Sequence, residues 1–245
     1  MQINKEYIEL LKSLTAINPS VLIVRDETET NNIVRQINAS RDTFYELGAP
    51  RTSFDFEGDC IAFFQFGEFH DLFSAFKNTE VSQLDERKLR ITDVDSGDGF
   101  TYSTHEKKFI KGVFKSVTPV NPHFRWVMND KMRSAIKSRM SLIGATNLRI
   151  ASLDDGSDAI RITAFNKDTQ NDFFFDLRAT EDHSWGHVDE TRVNVVFPAS
   201  VIAKLPNGEY KVEVSNDGLI TFILSTDGIS LRVMASSIDD NTEAE

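Results

Sequence analysis

The stretch NDKMRSAIKSRMS, Asn129 to Ser141, places four cationic side chains and one acid within thirteen residues of a 245-residue chain whose formal net charge is -11. Its spacing predicts a helix capped by Asn129 or Asp130. On a 3.6-residue wheel, Met132, Ala135, Ile136, Met140 and Ile143 fall on one apolar stripe, and Lys131, Arg133 and Lys137 project elsewhere. Arg139 falls by angle within the stripe, so it is expected to snorkel past the core to the edge.

The same element occurs 125 residues earlier. Asn4 aligns with Asn129, Tyr7 with Met132, Leu11 with Ile136, Lys12 with Lys137 and Ser13 with Ser138, and Leu14 stands where Arg139 stands. The first copy, NKEYIELLKSLTAI, puts Tyr7, Leu10, Leu11 and Leu14 on one stripe, with Lys5 and Lys12 on the opposite face. The likeness continues in kind. The strand PSVLIVRD follows the first helix as NLRIAS follows the second, and the short helix expected in HDLFSAFKN has its counterpart in PASVIAKLP. KLRITDVD, AIRITAFNK, NDFFFDLRAT and TRVNVVFP read as further strands, and EYKVEVSNDGLITFILSTDGISLRVMASSI as a three-strand antiparallel meander whose NDG and TDG turns supply glycine for positive φ. An internal duplication follows, with an α+β fold of two similar domains, 1–120 and 121–245, each combining antiparallel sheet with two helices. The proline-bearing segment KGVFKSVTPVNPHF lies within the connector, taken as about 106–124.

The balance of 27 Lys and Arg against 38 Asp and Glu would repel polyanions from most of the surface. Screening nevertheless limits an exposed charge to a Debye length of roughly 8–10 Å, so a basic face on an acidic body acts locally. The acid excess is shared between the two halves, and neither is a basic tail. No run approaches the length of a membrane span and the N-terminus lacks a signal-peptide pattern, which predicts a cytoplasmic protein, in the host cytoplasm if viral. The single cysteine, Cys60, lies in the Phe-rich run DCIAFFQF and reads as a small buried hydrophobe.

Phosphate-binding glycine loops, serine elbows and cysteine-rich metal patterns are missing. EDHSWGHVDE sets His183 and His187 four apart among Asp182, Asp189 and Glu190, a set with metal-ligand chemistry, but Gly186 and the loop-like composition favour a solvated acidic turn. The runs DETE and DDNTEAE read as solvated loop and tail.

In its order of elements the chain resembles the processivity sliding clamps of DNA replication, most closely the replication clamps of T-even bacteriophages. The resemblance spans the whole length. It is carried by INKEYIELLKSLTAINPSVLI, IRITAFNK, FPASVIAKLPNGEYKVEV and the duplicated layout. It implies a DNA-clamp fold assembled as a closed homotrimeric ring around double-stranded DNA, helices inside and sheets outside. Such a ring tethers a DNA polymerase, is opened by a separate ATP-dependent loader, uses no cofactor or metal and is not an enzyme. Phage relatives also aid late viral transcription.

Carried onto this chain, the resemblance makes Lys5, Lys12, Lys77, Lys131, Arg133, Lys137, Arg139 and Lys204 DNA-facing. Phe100 and Tyr102 in GFTYSTH, with Phe173 and Phe175 in DFFFDLR, fall on the strands expected to join subunits. Val113, Phe114 and Val117 near the connector would form an apolar pocket for partner peptides. Two other readings compete: a phage structural or assembly protein with duplicated β-rich domains, and a metal-dependent enzyme using the His183 and His187 loop.

Overall fold

The computed structural model describes residues 3–28, 30–115, 121–155, 157–178, 186–188 and 191–238. By contacts the chain divides into two compact units, residues 1–116 with 225–231, and residues 117–224 with 232–245.

In the first unit, α1 (Lys5–Leu14) leads into β1 (Val21–Arg25), β2 (Asn31–Ile37), β3 (Thr43–Pro50) and β4 (Cys60–Phe63). These strands form antiparallel sheet in the order β4-β1-β2-β3. Then come α2 (Phe66–Ser74) and a three-stranded meander of β5 (Thr79–Asp85), β6 (Lys88–Asp93) and β7 (Gly99–Ser103). The Asn4 side chain accepts the Tyr7 N–H at 3.2 Å, satisfying a donor that the first helical turn would leave unpaired. Tyr7, Ile8, Leu10, Leu11 and Leu14 are buried beneath.

Much of the chain's phenylalanine is spent here. Phe63 meets Phe66, Phe69 and Tyr102 at ring separations of 5.2, 4.8 and 6.0 Å, and Phe69 continues to Phe73 at 6.1 Å. Such offset and edge contacts add about 0.5–1.5 kcal/mol a pair to the burial of area. They also set where α2 begins. Phe66, Phe69 and Phe73 form its buried stripe, so the helix starts upstream of HDLFSAFKN and ends before Lys77.

The second unit repeats this plan. β8 (Phe124–Met128) precedes α3 (Asp130–Ile143), followed by β9 (Asn147–Ser152), β10 (Ala159–Phe165), β11 (Asp172–Arg178), the short β12 (Gly186–His187) and β13 (Asn194–Pro198). The chain continues through α4 (Ser200–Lys204), β14 (Tyr210–Ser215), β15 (Leu219–Thr226) and β16 (Ile229–Ser236), with residues 225–231 of the last hairpin grouped with the first unit. The order β13-β9-β10-β11 reproduces β4-β1-β2-β3, and the meander β14-β15-β16 reproduces β5-β6-β7. β8 adds beside β14, and β12 beside β8. Asn129 caps α3 as Asn4 caps α1, accepting the Met132 N–H at 2.9 Å. The meander turns place Gly218 and Gly228 at φ +80° and +79°, a region that costs an L side chain about 1–2 kcal/mol.

Candidate nucleic-acid interface

The α3 wheel is rotated relative to its sequence reading. Arg133, Ile136 and Met140 are the buried positions, Met132 and Ile143 are half-buried, and Ala135 faces solvent. Arg133 therefore leaves the set of side chains expected to face DNA. It is 4% exposed, and its guanidinium donates to the Leu205 carbonyl oxygen at 3.0 Å, Asn207 Oδ1 at 2.7 Å and Asp130 Oδ1 at 2.8 Å. A buried guanidinium persists because these acceptors replace its hydration. Asp130 also accepts the Gly208 N–H at 2.9 Å, and that bond, with Arg133 beside it, holds its carboxyl below the usual range.

The other second-unit cations expected to face DNA remain at least partly accessible. Lys131 and Arg139 are exposed, while Lys137 and Lys204 are half-buried. Arg139, expected in the stripe, lies instead at its margin with its guanidinium 4.7 Å from the centre of the Phe173 ring, a cation–π contact that holds the charge at the surface. Partial burial, then the neighbouring Arg133, lowers the Lys137 pKa from its ordinary value.

On the first unit the picture differs. Lys5 is exposed, with Nζ 3.4 Å from the carbonyl oxygen of Lys77, itself exposed. Lys12 pairs with Asp71 at 3.5 Å. His70 Nε2 lies 3.0 Å from Glu9 Oε1, and the hydrogen bond from His70, with Lys12 behind it, lowers the Asp71 pKa. Glu6, Glu9 and Glu68 are exposed on the same helices.

The two strands expected to join subunits each lie at the end of a sheet. Phe100 on β7 is 39% exposed and stacks on Phe76 at 5.2 Å. Tyr102 is corrected: it is 7% exposed, inside the aromatic core, with its hydroxyl donating to the Gln65 carbonyl at 3.4 Å. On β11, Phe173 and Phe175 stack on each other at 5.8 Å and are half-buried. The exposed ring is Phe174, at 53%. Beside it Arg161 makes a bidentate pair with Asp176 at 2.7 and 3.0 Å, and its guanidinium sits 4.5 Å from the Phe174 centroid. Strand alternation selects the face, and α3, packed against β11, covers the Phe173 and Phe175 side.

Val113 and Phe114 line a groove of about 530 Å³ in the first unit, with Leu22, Val24 and Ile33 as further apolar walls and charges of both signs, Asp26, Glu27, Lys107 and Lys115, in its lining. Phe114 packs edge-on against Phe44 at 5.6 Å. Val117 lies outside the described residues. The connector is tied down by Ile37 N–H to the Gly112 carbonyl at 2.7 Å and by Asn18 Nδ2 to the carbonyls of Ile37 and Lys111. Gly112 has φ +76°, and a Cβ there would stand 2.5 Å from the Ile37 oxygen, so this anchorage requires glycine. Cys60 is half-buried, packed with Val24 against Leu22, Ala62 and Ile110.

His183, Asp182, Asp189 and Glu190 lie outside the described residues. His187 is occupied by the fold. Its Nδ1 is 2.5 Å from Asp158 Oδ1 and its Nε2 is 2.8 Å from Ser152 Oγ. The connectivity is that of a Ser–His–Asp array, but Ser152 Oγ also accepts the Val193 N–H at 2.8 Å, and the array ties β12 to β9. Among the described residues, no cluster of His, Cys, Asp and Glu has metal-binding geometry. No helix among them is long and apolar enough to cross a membrane.

No protein-family model matches the chain, and no curated protein matches it in sequence. Solved structures match its fold throughout. PCNA from Thermococcus kodakaraensis superposes with TM-score 0.72 at 12% identity, over 96% of both chains. PCNA of A. fulgidus, solved with the C-terminal region of FEN-1 bound, gives 0.72 at 12% identity over 99% of this chain and 98% of that one. The PCNA2–PCNA3 complex from Sulfolobus tokodaii gives 0.71 at 12% over 94% and 95%. The chain has the α+β fold of the PCNA sliding clamps.

Proposed function

We propose that this chain is a DNA sliding clamp that encircles duplex DNA and tethers a replicative DNA polymerase without catalysing a reaction. The observation that carries the reading is the conjunction, within a clamp fold, of a helix face bearing Lys131, Lys137 and Arg139 with two sheet-end strands, β7 and β11, each presenting an exposed phenylalanine. Cations on the second-unit helices, Lys204 among them, attract phosphates without reading bases, while Lys5 and Lys12 on α1 and Lys77 beyond the end of α2 add a weaker share that neighbouring acids offset. The acidic remainder keeps the polyanion off other faces. Holding by topology requires only weak local attraction, so the duplex can slide.

Pairing of β7 of one subunit with β11 of the next extends the sheet across the joint, with Phe100 and Phe174 supplying apolar area. Three subunits close the ring, a homotrimer opened by an ATP-dependent loader. The groove beside Val113 and Phe114 receives partner peptides, the polymerase's among them. The quoted segments and their order support kinship with T-even phage clamps, and with it a role in late viral transcription. Solution mass tests the assembly: three times the 27.7 kDa chain is expected, and a monomer at micromolar concentration contradicts it.

A further inference from the structure

Within the clamp reading, the two units of one subunit differ in electrostatic role. Helices α1 and α2 carry Lys5 and Lys12 against Glu6, Glu9, Glu68 and Asp71, and Lys12 is engaged by Asp71. Helices α3 and α4 carry Lys131, Arg133, Lys137, Arg139 and Lys204 against Asp130 alone. That one acid is committed to Arg133 and the Gly208 N–H. Among the described residues, Lys131, Lys137, Arg139 and Lys204 form no ion pair.

We infer that duplex phosphate is contacted by the α3–α4 face of the second unit, and that the α1–α2 face of the first unit is a low-attraction surface whose acids limit how tightly the duplex is held. The physical ground is range. At physiological salt a charge is felt over about 8 Å, so each face acts through its own side chains rather than through the average of the subunit. A phosphate near α3 meets cations without local compensation. One near α1 meets lysines whose field Glu6, Glu9 and Asp71 offset. Concentrating cations on one face per subunit gives a ring separated attractive patches, which suits sliding better than a continuous basic lining that would grip.

The test uses the full chain and a fluorescent duplex of about 30 bp of arbitrary sequence, its affinity followed against salt. One variant set is Lys131→Gln, Lys137→Gln and Arg139→Gln; the other is Lys5→Gln, Lys12→Gln and Lys77→Gln. A third variant, Glu6→Gln with Glu9→Gln, removes acids. The first set is expected to weaken low-salt binding about tenfold or more and to flatten the salt slope by up to about 0.9 per lost contact. The second should change affinity less than about threefold, and the acid-removal variant should tighten it by a similar factor. Equal losses from the two lysine sets, or a larger loss from the first-unit set, overturn the assignment while leaving the clamp reading intact. Wild-type protein that binds no duplex at low salt overturns the assignment of a phosphate-contacting face, whereas failure to be retained on nicked circular duplex with a competent loader overturns the clamp reading itself. Unchanged solution mass and circular dichroism in each variant exclude misfolding as the cause of a loss.

Discussion

Arg133 on α3 donates to the main-chain oxygen of Leu205, just beyond α4, at 3.0 Å. That bond, with those to Asn207 and Asp130, makes the most interior cation of the helix a structural clasp within the second unit. Removing the guanidinium would leave the buried Leu205 carbonyl oxygen without its side-chain donor, at about 1–3 kcal/mol for a buried group. Arg133→Met is therefore expected to lower unfolding stability by about 2 kcal/mol or more in a denaturant titration. It should leave the salt dependence of DNA binding per folded molecule unchanged. Lys131→Gln should do the reverse, and a shallower salt slope for folded Arg133→Met would return Arg133 to the DNA-facing set.

All four tyrosines of the chain, Tyr7, Tyr45, Tyr102 and Tyr210, are buried, and burial raises the pKa of each phenol. Tyr102 is pushed up to about 12, with Glu68 adding to the effect. A folded-state pKa above the unfolded one means that the neutral phenol is favoured by folding. The contribution is complete below about pH 10 and is lost as pH rises through 10 to 12. Absorbance at the phenolate band should thus rise late, together with loss of the folded circular dichroism signal. A tyrosine ionising near pH 10 in protein that stays folded would contradict this burial.

Gly112→Ala places a Cβ against the Ile37 carbonyl in a left-handed backbone conformation. The cost is about 1–2 kcal/mol, borne by the connector rather than the sheet core. The Ile37 amide, which donates to the Gly112 carbonyl, should exchange about tenfold faster with solvent deuterium. Exchange in α2 should be unchanged. An unaltered Ile37 rate would show that the connector tolerates the side chain.

Phe174→Asp puts a carboxylate on the exposed face of β11, beside Asp176. Sedimentation should show a shift from ring to smaller species with the fold retained. Tyr102→Ala, by contrast, empties part of the aromatic core and should cost about 3 kcal/mol of stability before any effect on assembly is seen. Phe174→Asp that assembles as wild type would remove β11 from the proposed joint.

Much of this architecture was legible because the duplication repeats its physics. Asn4 and Asn129 cap by the same bond, DFFFDLR is β11 from end to end, and the NDG and TDG turns fall where positive φ is needed. The errors share a cause. Helical periodicity locates a stripe but does not reveal acceptors supplied from elsewhere in the chain, such as Leu205 and Asn207, which hold the Arg133 guanidinium inward. Strand alternation put Phe100 and Tyr102 on one face, but the core extends only as far as Tyr102, and Phe76 meets Phe100 beyond it. For Phe173 to Phe175 the covering helix decides which ring is exposed. The pairing of Lys12 with Asp71 depends on α2 packing against α1, a contact no local pattern encodes.

Retention on DNA of different topology tests the central claim most directly. Protein is loaded on nicked circular duplex, the circle is left closed or cut once by a restriction enzyme, and the fraction still bound after gel filtration is measured. A sliding clamp remains with the circle and is lost from the linear molecule. Equal retention on both, or none on either at low salt with intact protein and a competent loader, contradicts encirclement.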